Sequence, residues 1–301
     1  MAAFTSNSDG RKCITINHED GSSITVYEQG AHLTSWKTKD GKDYLYLSPK
    51  AIFSDRVAIR GGVPLIFPQF GAYGSMLPPH GFARIRPWNL ESAENGKASF
   101  SLRVALCELL PGGCSLTDAP ENAVHLLYTI SFSNTELNLR MKVTNTSEEQ
   151  PASFQFAFHT YFAVSDISQT VVNGVSRSPF IDNTKSNGNP LTPPSPPEPL
   201  WIIRGEHDRI YPDQACAIVL QDLAAKTVLQ VSSPNLHDVC IWNPAAAKCA
   251  AMKDMPPDGY QRFVCVEHGD MLKKIELPSC SSWTGSQEIS ILAGNPHESN
   301  I

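Results

Sequence analysis

The 301-residue sequence has few charged residues and no long apolar run. No segment approaches the roughly 20 apolar residues of a membrane-spanning helix, and the amino-terminal residues MAAFTSNSDGRK lack the apolar core of a signal peptide. Charged residues make up 18% of the chain and the formal net charge is −6, whereas a general binder of nucleic acid or anionic membrane needs excess Lys and Arg. We therefore expect a cytoplasmic protein whose partner is neither a nucleic acid nor a membrane.

Cysteine pairs and the common nucleotide or nucleophile motifs are also missing. The eight cysteines are scattered, and neither Cys-x-x-Cys nor His-x-x-His spacing occurs, which excludes the standard zinc and redox motifs. The sequence contains no P-loop, no Gly-x-Gly-x-x-Gly and no Gly-x-Ser-x-Gly elbow, so the usual kinases, dehydrogenases and hydrolases lose support. We expect reduced, mostly buried cysteines, and neither a metal nor a cofactor.

Alternating segments joined by short glycine turns are the main pattern that is present. Asp20-Gly21, Asp40-Gly41 and Asn95-Gly96 each lie between two runs in which apolar and polar residues alternate, and such dipeptides supply the positive φ of a tight hairpin. Strict alternation recurs from 137 to 143, while helical periodicity is confined to a short segment near residues 245–252. The sequence therefore predicts an all-β protein, an antiparallel sandwich or barrel.

One proline-rich segment, residues 187–201, interrupts this pattern. Proline cannot donate to a sheet ladder, so we expect an extended surface loop there. Strand-like sequence of the same character flanks it on both sides, which favours a loop within one domain over a linker. We expect that domain to span residues 1–301, with its folded body from about residue 12 to 294 and short flexible ends. The carboxy-terminal Ser299, Asn300 and Ile301 match the Ser-Lys-Leu microbody signal at one position, and an ordinary chain end is the favoured interpretation.

Two strand-like segments carry a polar residue that packing does not require. In SFQFAFHTYF three phenylalanines share one face, and His159 lies at the end of the opposite face. In RFVCVEHGD, Phe263 and Cys265 are in phase with Glu267, so a carboxylate ends an apolar face. Desolvation there would raise the carboxyl pKa and suit it to general-base catalysis. A structural histidine and an edge or ion-paired carboxylate remain the alternative interpretations.

Three further clusters concentrate cationic and polar side chains. Arg60 precedes Gly61-Gly62, the segment LPPHGFARIRPW contains a histidine and two arginines, and EHDRIYPD contains Asp208. Arginine beside small residues suits anion binding, because the backbone can approach closely and the guanidinium matches phosphate oxygens. Surface ion pairs and a turn histidine are the alternatives. Together with His159 and Glu267, these residues could form an acid–base site for a small anionic substrate.

At these residues the sequence resembles the aldose 1-epimerase (mutarotase) superfamily, in particular its hexose 6-phosphate branch. The matching segments lie between about residues 30 and 270, in family order: GAHLTSWKT, IRGGVPLIFPQFG, PHGFAR, FHTYF, DRIY, VCIWNP and FVCVEHG. RGGVPLIFPQFG followed shortly by HGFAR is a highly specific combination. The resemblance implies a large antiparallel β-sandwich of the galactose mutarotase-like type, without a cofactor, with the sugar site on a concave sheet face.

The resemblance also implies a role for individual residues. The acid–base pair of the family, in its FHTYF and VCVE motifs, corresponds to His159 and Glu267. The residues at the family's substrate-binding positions are Arg60, His80, Arg84 and Asp208. Two positions depart from the family pattern: Pro79 stands where many relatives have a glutamine that contacts substrate, and Ala245 where they often have tryptophan. These departures affect sugar recognition and leave the acid–base pair intact.

The function that the resemblance implies is interconversion of the α and β anomers of hexose 6-phosphates. Glu267 would act as the base at the anomeric hydroxyl and His159 as the acid at the ring oxygen, so the protein would be an isomerase with a small-molecule substrate. Three alternatives stay open: a mutarotase for unphosphorylated aldoses, a non-catalytic carbohydrate-binding sandwich, and an isomerase of keto and aldo sugars. We expect a monomer or a weak homodimer.

Overall fold

The computed structural model describes residues 3–8, 10–72, 78–109, 123–175, 178–185, 192, 203–214 and 216–293. Over these ranges the chain forms antiparallel strands joined by turns, short 3₁₀ segments and one α-helix. Most of the predicted proline-rich loop and the carboxy-terminal tripeptide lie outside the described residues. Thr192 of that loop pairs with Phe180 through an isolated bridge.

The described ranges contain eighteen strands, numbered here in chain order. The first five are β1 (Thr5–Ser6), β2 (Lys12–Asn17), β3 (Ser23–Tyr27), β4 (His32–Lys37) and β5 (Leu65–Ile66). The next seven are β6 (Asn89–Glu94), β7 (Lys97–Ala105), β8 (Ala123–Phe132), β9 (Glu136–Asn145), β10 (Ala152–Ala163), β11 (Thr170–Asn173) and β12 (Ile181–Asp182). The last six are β13 (His207–Tyr211), β14 (Ile218–Asp222), β15 (Thr227–Ser232), β16 (Asp238–Asn243), β17 (Phe263–Leu277) and β18 (Ser282–Leu292), with helix α1 (Ala245–Ala251) between β16 and β17.

Three sheets are formed from these strands. A four-stranded sheet has the order β1-β2-β3-β4, a six-stranded sheet β12-β13-β16-β17-β10-β5, and an eight-stranded sheet β11-β14-β15-β18-β9-β8-β7-β6. Within the described ranges, all pairs of adjacent strands are antiparallel. The prediction of an all-β antiparallel protein is therefore confirmed, and so is the short helix near residue 245.

The turn dipeptides account for the local connections. Gly21 (φ +90°) joins β2 to β3, and Gly96 (φ +72°) joins β6 to β7, so two predicted hairpins are confirmed. Gly41 also has positive φ, but the chain after it pairs only through isolated bridges, such as Lys37 with Asp43. That turn is therefore followed by an irregular segment rather than by a continuous strand.

The six- and eight-stranded sheets pack face to face and enclose the main core. Phe156 and Phe158 of β10 contact Trp283 and Tyr128 of the opposite sheet, with ring centroids 5.4 and 6.1 Å apart. Period-two alternation directs every second side chain of β10 into this core. The other face of the six-stranded sheet carries a second, smaller apolar cluster that includes Tyr161 of β10 and Trp242 of β16. Residues on that second face are the ones that form the candidate site.

The cysteines of the described ranges are mostly free thiols. Cys13, Cys216, Cys240, Cys249, Cys265 and Cys280 are free. Cys107 is disulfide-bonded, so the expectation that every cysteine is reduced is wrong at that position. Within the described ranges, no helix is both long enough and apolar enough to cross a membrane.

Candidate active site

His159 and Glu267 face each other across two neighbouring strands. β10 and β17 pair with His159 directly opposite Glu267, so both side chains project from the same face of the sheet. The distance from His159 Nδ1 to Glu267 Oε1 is 3.4 Å. The two residues are only 7% and 1% exposed. The antiparallel register thus brings together a buried imidazole and a buried carboxyl group that lie far apart in the sequence.

Burial dominates the electrostatics of Glu267. It raises the pKa of this carboxyl well above the usual range, and the negative charge of Asp208 raises it further. The guanidinium of Arg84 and a hydrogen bond from the Cys240 thiol act in the opposite direction. Among the described residues, Glu267 Oε2 has no hydrogen-bond partner. A buried oxygen of this kind is available to a polar group of a ligand.

Aromatic rings hold the His159 imidazole on three sides. It stacks on Tyr161 (centroids 4.8 Å apart, planes 5° apart), and the edges of Trp242 and His80 meet it at 5.9 and 5.7 Å. Burial lowers the pKa of His159 well below the usual range, with further lowering by His80, Arg84 and Arg60. Its Nδ1 lacks a hydrogen-bond partner within the described part of the chain.

Arg60 is fixed at both ends of its guanidinium. Its Nε donates to Asp254 Oδ2 at 3.0 Å and its Nη1 donates to the Tyr161 hydroxyl at 3.1 Å. Gly61 and Gly62, which follow Arg60, lie so close to neighbouring backbone that a side chain would not fit. A Cβ at Gly61 (φ +112°) would lie 2.3 Å from a carbonyl oxygen, and one at Gly62 (φ +61°) 2.2 Å from another. The glycine pair therefore lets the Arg60 segment pack tightly beside the sheet.

Arg84 and His80 approach the pair from the loop before β6. Arg84 lies in a 3₁₀ turn, and its Nη2 donates to the Pro79 carbonyl at 2.7 Å. Its Nε is buried without a partner among the described residues, and burial lowers its pKa to about 10. His80 (φ +66°) accepts a hydrogen bond from Gly71 N at its Nδ1, so in the neutral ring Nε2 carries the proton and can donate. Pro79 thus contributes its carbonyl oxygen to holding Arg84.

Asp208 lies on the same sheet face, two strands away from Glu267. β13 pairs with β16 so that Asp208 is opposite Trp242, and β16 pairs in turn with β17. The Asp208 carboxylate accepts a hydrogen bond from Asn183 Nδ2 at 2.9 Å. Burial raises the pKa of Asp208. It lies at the far side of the cluster, where it could contact the hydroxyls of a ligand bound at the pair.

The structure brings all six predicted site residues to one region of the second face of the six-stranded sheet: Arg60, His80, Arg84, His159, Asp208 and Glu267. It separates from them the other arginine of the segment LPPHGFARIRPW. Arg86 instead pairs with Glu108 and lies over the Phe82 ring, 3.9 Å from its centroid. For Arg86, the interpretation as a partly exposed ion pair is the correct one.

Sequence reasoning missed two residues that shape the site. Tyr161 stacks on His159 and holds Arg60, and its position two residues after His159 on the same strand face was a usable signal. Asp254 also holds Arg60, but it lies in a loop with no motif, and nothing in the sequence indicates the contact. Both residues position a neighbour by direct contact.

The donor atoms at the pair could also hold a metal ion. The donor atoms of His159, Cys265 and Glu267 all lie within 4.8 Å of one another. The set offers one nitrogen, one sulfur and one oxygen, which suits zinc better than the oxygen-preferring magnesium or calcium. That the protein works without a metal or cofactor stays a prediction.

A family model, a sequence relative and a solved structure that are similar to this chain are each described as an epimerase or a mutarotase. Residues 12–290 match the protein family described as aldose 1-epimerase. A relative from Cenchrus ciliaris, named "Putative glucose-6-phosphate 1-epimerase", is 32% identical over 269 residues, which cover 86% of this chain and 78% of the relative. The crystal structure of a "putative mutarotase" from Salmonella typhimurium superposes with a TM-score of 0.81 at 26% identity, covering 96% and 92% of the two chains. A "galactose mutarotase-like protein" from Lactobacillus casei shares the fold with a TM-score of 0.70 at 18% identity, covering 93% and 100%.

Proposed function

The chain belongs to the aldose 1-epimerase family, and from that premise we propose that it interconverts the α and β anomers of a hexose 6-phosphate. The family makes it an isomerase with a carbohydrate substrate, and the fold is of the predicted galactose mutarotase-like type. The observation that carries the proposal is the His159–Glu267 pair, 3.4 Å apart on adjacent strands and flanked by two arginines. The relatives named for glucose 6-phosphate support the choice of a phosphorylated sugar.

The proposed reaction needs two coordinated proton transfers. Glu267, as a carboxylate, removes the proton from the anomeric hydroxyl, while His159, as an imidazolium, delivers a proton to the ring oxygen. The C1–O5 bond breaks and C1 becomes an aldehyde, after which the C1–C2 bond rotates. Attack of O5 on the other face of the aldehyde re-forms the ring, and both protons return to their starting positions. Each positioned transfer typically contributes about 10²–10⁴ in rate.

The pair carries the same number of protons before and after ring opening. Imidazolium with carboxylate is the arrangement that opens the ring, and neutral imidazole with carboxylic acid is the one that closes it. Burial favours the neutral arrangement, because it lowers the pKa of His159 and raises that of Glu267. A bound phosphate dianion would offset the positive charges of Arg84 and Arg60, which disfavour the imidazolium. Substrate binding would therefore favour the charged arrangement that starts the reaction.

Arg60 and Arg84 are the proposed phosphate ligands. Arg60 is held in place by Asp254 and Tyr161, so little side-chain freedom remains to be lost on binding. The unpartnered, buried Nε of Arg84 would gain an acceptor. A phosphate fixed at these side chains would orient the sugar ring against the acid–base pair. His80, through Nε2, and Asp208 would bind ring and hydroxyl oxygens.

The proposal is tested by following the optical rotation of freshly dissolved α-glucose 6-phosphate and α-glucose. Wild-type protein is expected to accelerate the equilibration of both sugars, with a much higher kcat/KM for glucose 6-phosphate than for glucose. Glu267→Gln, which keeps the shape and removes the base, should lower kcat by about 10²–10⁴ with little change in KM. Equal loss of sugar affinity and turnover in Glu267→Gln would contradict its role as the base.

The substrate class is tested separately by Arg84→Ala. This change should raise KM for glucose 6-phosphate at least about tenfold, because a hydrogen bond to a charged group is worth about 1.5–3 kcal/mol, and should leave KM for glucose nearly unchanged. Arg86→Ala is the matched control, since Arg86 lies in the same segment but pairs with Glu108. If Arg84→Ala impairs both sugars equally, the phosphate assignment is wrong.

A further inference from the structure

We infer that His159 and Glu267, together with the thiol of Cys265, form a binding site for a zinc ion, and that zinc and the sugar exclude each other. The site uses residues of the proposed active site, but the binding itself requires no turnover. It would therefore give the protein a sensitivity to zinc that is independent of which sugar it converts.

Strand geometry places the three donors on one face. Cys265 and Glu267 are two residues apart on β17, so their side chains point to the same side. His159 is the directly opposite residue on β10, where cross-strand Cβ atoms lie about 4.5–5.5 Å apart. The three side chains therefore form a triangle, two from β17 and one from β10. Strand β17 is fixed here because it pairs with β10 on one side and with β16 on the other.

The donor separations are close to those of a zinc centre. Zinc–ligand distances of about 2.0–2.3 Å in a tetrahedron put neighbouring donors about 3.3–3.6 Å apart. His159 Nδ1 and Glu267 Oε1 are already 3.4 Å apart. All three donors lie within 4.8 Å of one another, so the Cys265 sulfur needs to approach by little more than about 1 Å, which small shifts shared among the three side chains supply.

One donor atom, His159 Nδ1, and the second carboxyl oxygen of Glu267 lack hydrogen-bond partners among the described residues. Both side chains are more than nine-tenths buried. A buried polar atom without a hydrogen-bond partner lowers the stability of the folded protein, and a bound ligand can supply the missing partner. A sugar hydroxyl can satisfy the nitrogen and the oxygen, but its hydrogen bond to a thiol is weak. Cys265, which is fully buried, is therefore the residue that distinguishes a metal from the sugar.

The donor chemistry selects the ion. Cysteine, histidine and carboxylate together are typical zinc ligands, whereas magnesium and calcium take oxygen ligands. On binding, the Cys265 S–H bond and the O–H bond of the Glu267 carboxyl group break and both protons leave to solvent. Zinc–sulfur, zinc–oxygen and zinc–nitrogen bonds form with no change in oxidation state. Thiolate and carboxylate then balance the two positive charges of the ion. Because zinc occupies the atoms that must exchange protons with the sugar, binding of one prevents binding of the other.

Cobalt(II) is the probe for a direct test on the full-length protein. Cobalt replaces zinc in such sites, and its bond to a thiolate gives a charge-transfer absorption band. We expect wild-type protein to develop this band with a single ion per chain, and zinc to remove it by displacement. Cys265→Ser should lose the band and weaken cobalt binding at least about tenfold. Cys249→Ala is the control, because Cys249 is also buried beside this face but contacts the Pro256 carbonyl, and it should retain the band.

The outcomes separate the zinc site from the proposed reaction. Absence of the band in wild-type protein, or an unchanged band in Cys265→Ser, would overturn the zinc site whatever the enzymatic activity. If Cys265→Ser does not fold, Cys265→Ala removes the same donor and suits the apolar surroundings. Zinc should also inhibit anomer interconversion in competition with the sugar, reversibly with a chelator. A protein that binds cobalt through Cys265 but converts no hexose phosphate would refute the proposed function and leave the zinc site standing.

Discussion

At the scale of single residues, Tyr161 connects the proposed phosphate site to the proposed acid. Its hydroxyl accepts a hydrogen bond from Arg60, and its ring stacks on His159 with nearly parallel planes. Tyr161→Phe would remove the first contact and keep the second. We expect KM for glucose 6-phosphate to rise by up to about tenfold, because Arg60 loses one of the two contacts that hold it and must be ordered on binding, which costs about 0.5–1.5 kcal/mol. The kcat and the kinetics on glucose should stay nearly unchanged.

Tyr46→Phe is the matched control for this prediction. Tyr46 is also buried and also packs on Phe263, but its hydroxyl contacts the sulfur of Met255 at 3.0 Å rather than a cation. Steady-state kinetics on both sugars should be close to wild type in Tyr46→Phe. A similar effect of the two tyrosine changes would show that Tyr161 acts through general packing and not through Arg60.

At the scale of single residues, the sequence could predict which groups are chemically notable but not how they are held. Alternation around His159 and Glu267 indicates an isolated polar group on an apolar strand face, and the glycines after Arg60 indicate close packing. The hydrogen bond from Arg60 to Asp254 depends on a loop whose path is decided by tertiary packing. No local pattern encodes such a contact.

At the scale of elements, one carboxylate anchors an irregular part of β17. The pairing of β10 with β17 shifts register between Phe154 and Phe156, and across this shift the backbone N–H groups of Met271 and Leu272 donate to Asp238 Oδ2 at 2.8 and 3.0 Å. Asp238→Ala would leave these donors without their acceptor. We expect a loss of about 2–4 kcal/mol in the free energy of unfolding, measured by urea denaturation.

A conservative variant separates this anchoring role from loss of volume. Asp238→Asn keeps an oxygen that can accept from the same N–H groups, so it should retain part of the stability. The kcat of each folded variant should stay near wild type, because Asp238 does not touch the proposed acid–base pair. An unchanged free energy of unfolding in Asp238→Ala would mean that other contacts hold this irregular part of β17.

At the scale of elements, the sequence predicts where a strand lies more easily than which strand pairs with it. Asp20-Gly21 and Asn95-Gly96 specify hairpins because both strands are adjacent in sequence. The pairing of β10 with β17 joins distant segments, and period-two alternation states which face a residue occupies but not which strand lies beside it. The meeting of His159 and Glu267 could therefore be expected from the family resemblance and not from periodicity.

At the scale of the whole molecule, buried histidines make stability depend on pH. Burial lowers the pKa of His32 and His268 to about 4 and that of His80 and His207 to about 3. In the unfolded chain a histidine has a pKa of about 6.5. Above that pH neither state is protonated and the groups have no effect. As pH falls from about 6.5 toward 4, the unfolded chain takes up protons that the folded chain does not, so stability decreases.

The expected acid sensitivity is large. Each pKa unit corresponds to about 1.4 kcal/mol, and several imidazoles act in the same direction against a typical stability of about 5–15 kcal/mol. The carboxyl groups whose pKa burial raises, those of Asp208, Asp238 and Glu267, act in the opposite direction but are fewer than the buried histidines. We expect the urea midpoint to fall steeply between pH 6.5 and 4.5. His268→Gln should make the decline shallower, and a midpoint that is flat over this range would contradict the account.

The two-sided use of the six-stranded sheet has a consequence for how this protein can diverge. In β10 the even-numbered phenylalanines fill the interior and the odd-numbered His159 and Tyr161 serve the opposite surface. Insertion or deletion of one residue within the strand would exchange these roles, placing phenylalanines at the candidate site and the imidazole in the main core. A change in the length of this strand would therefore disturb the main core and the candidate site together, whereas a change in the length of a loop would disturb neither register.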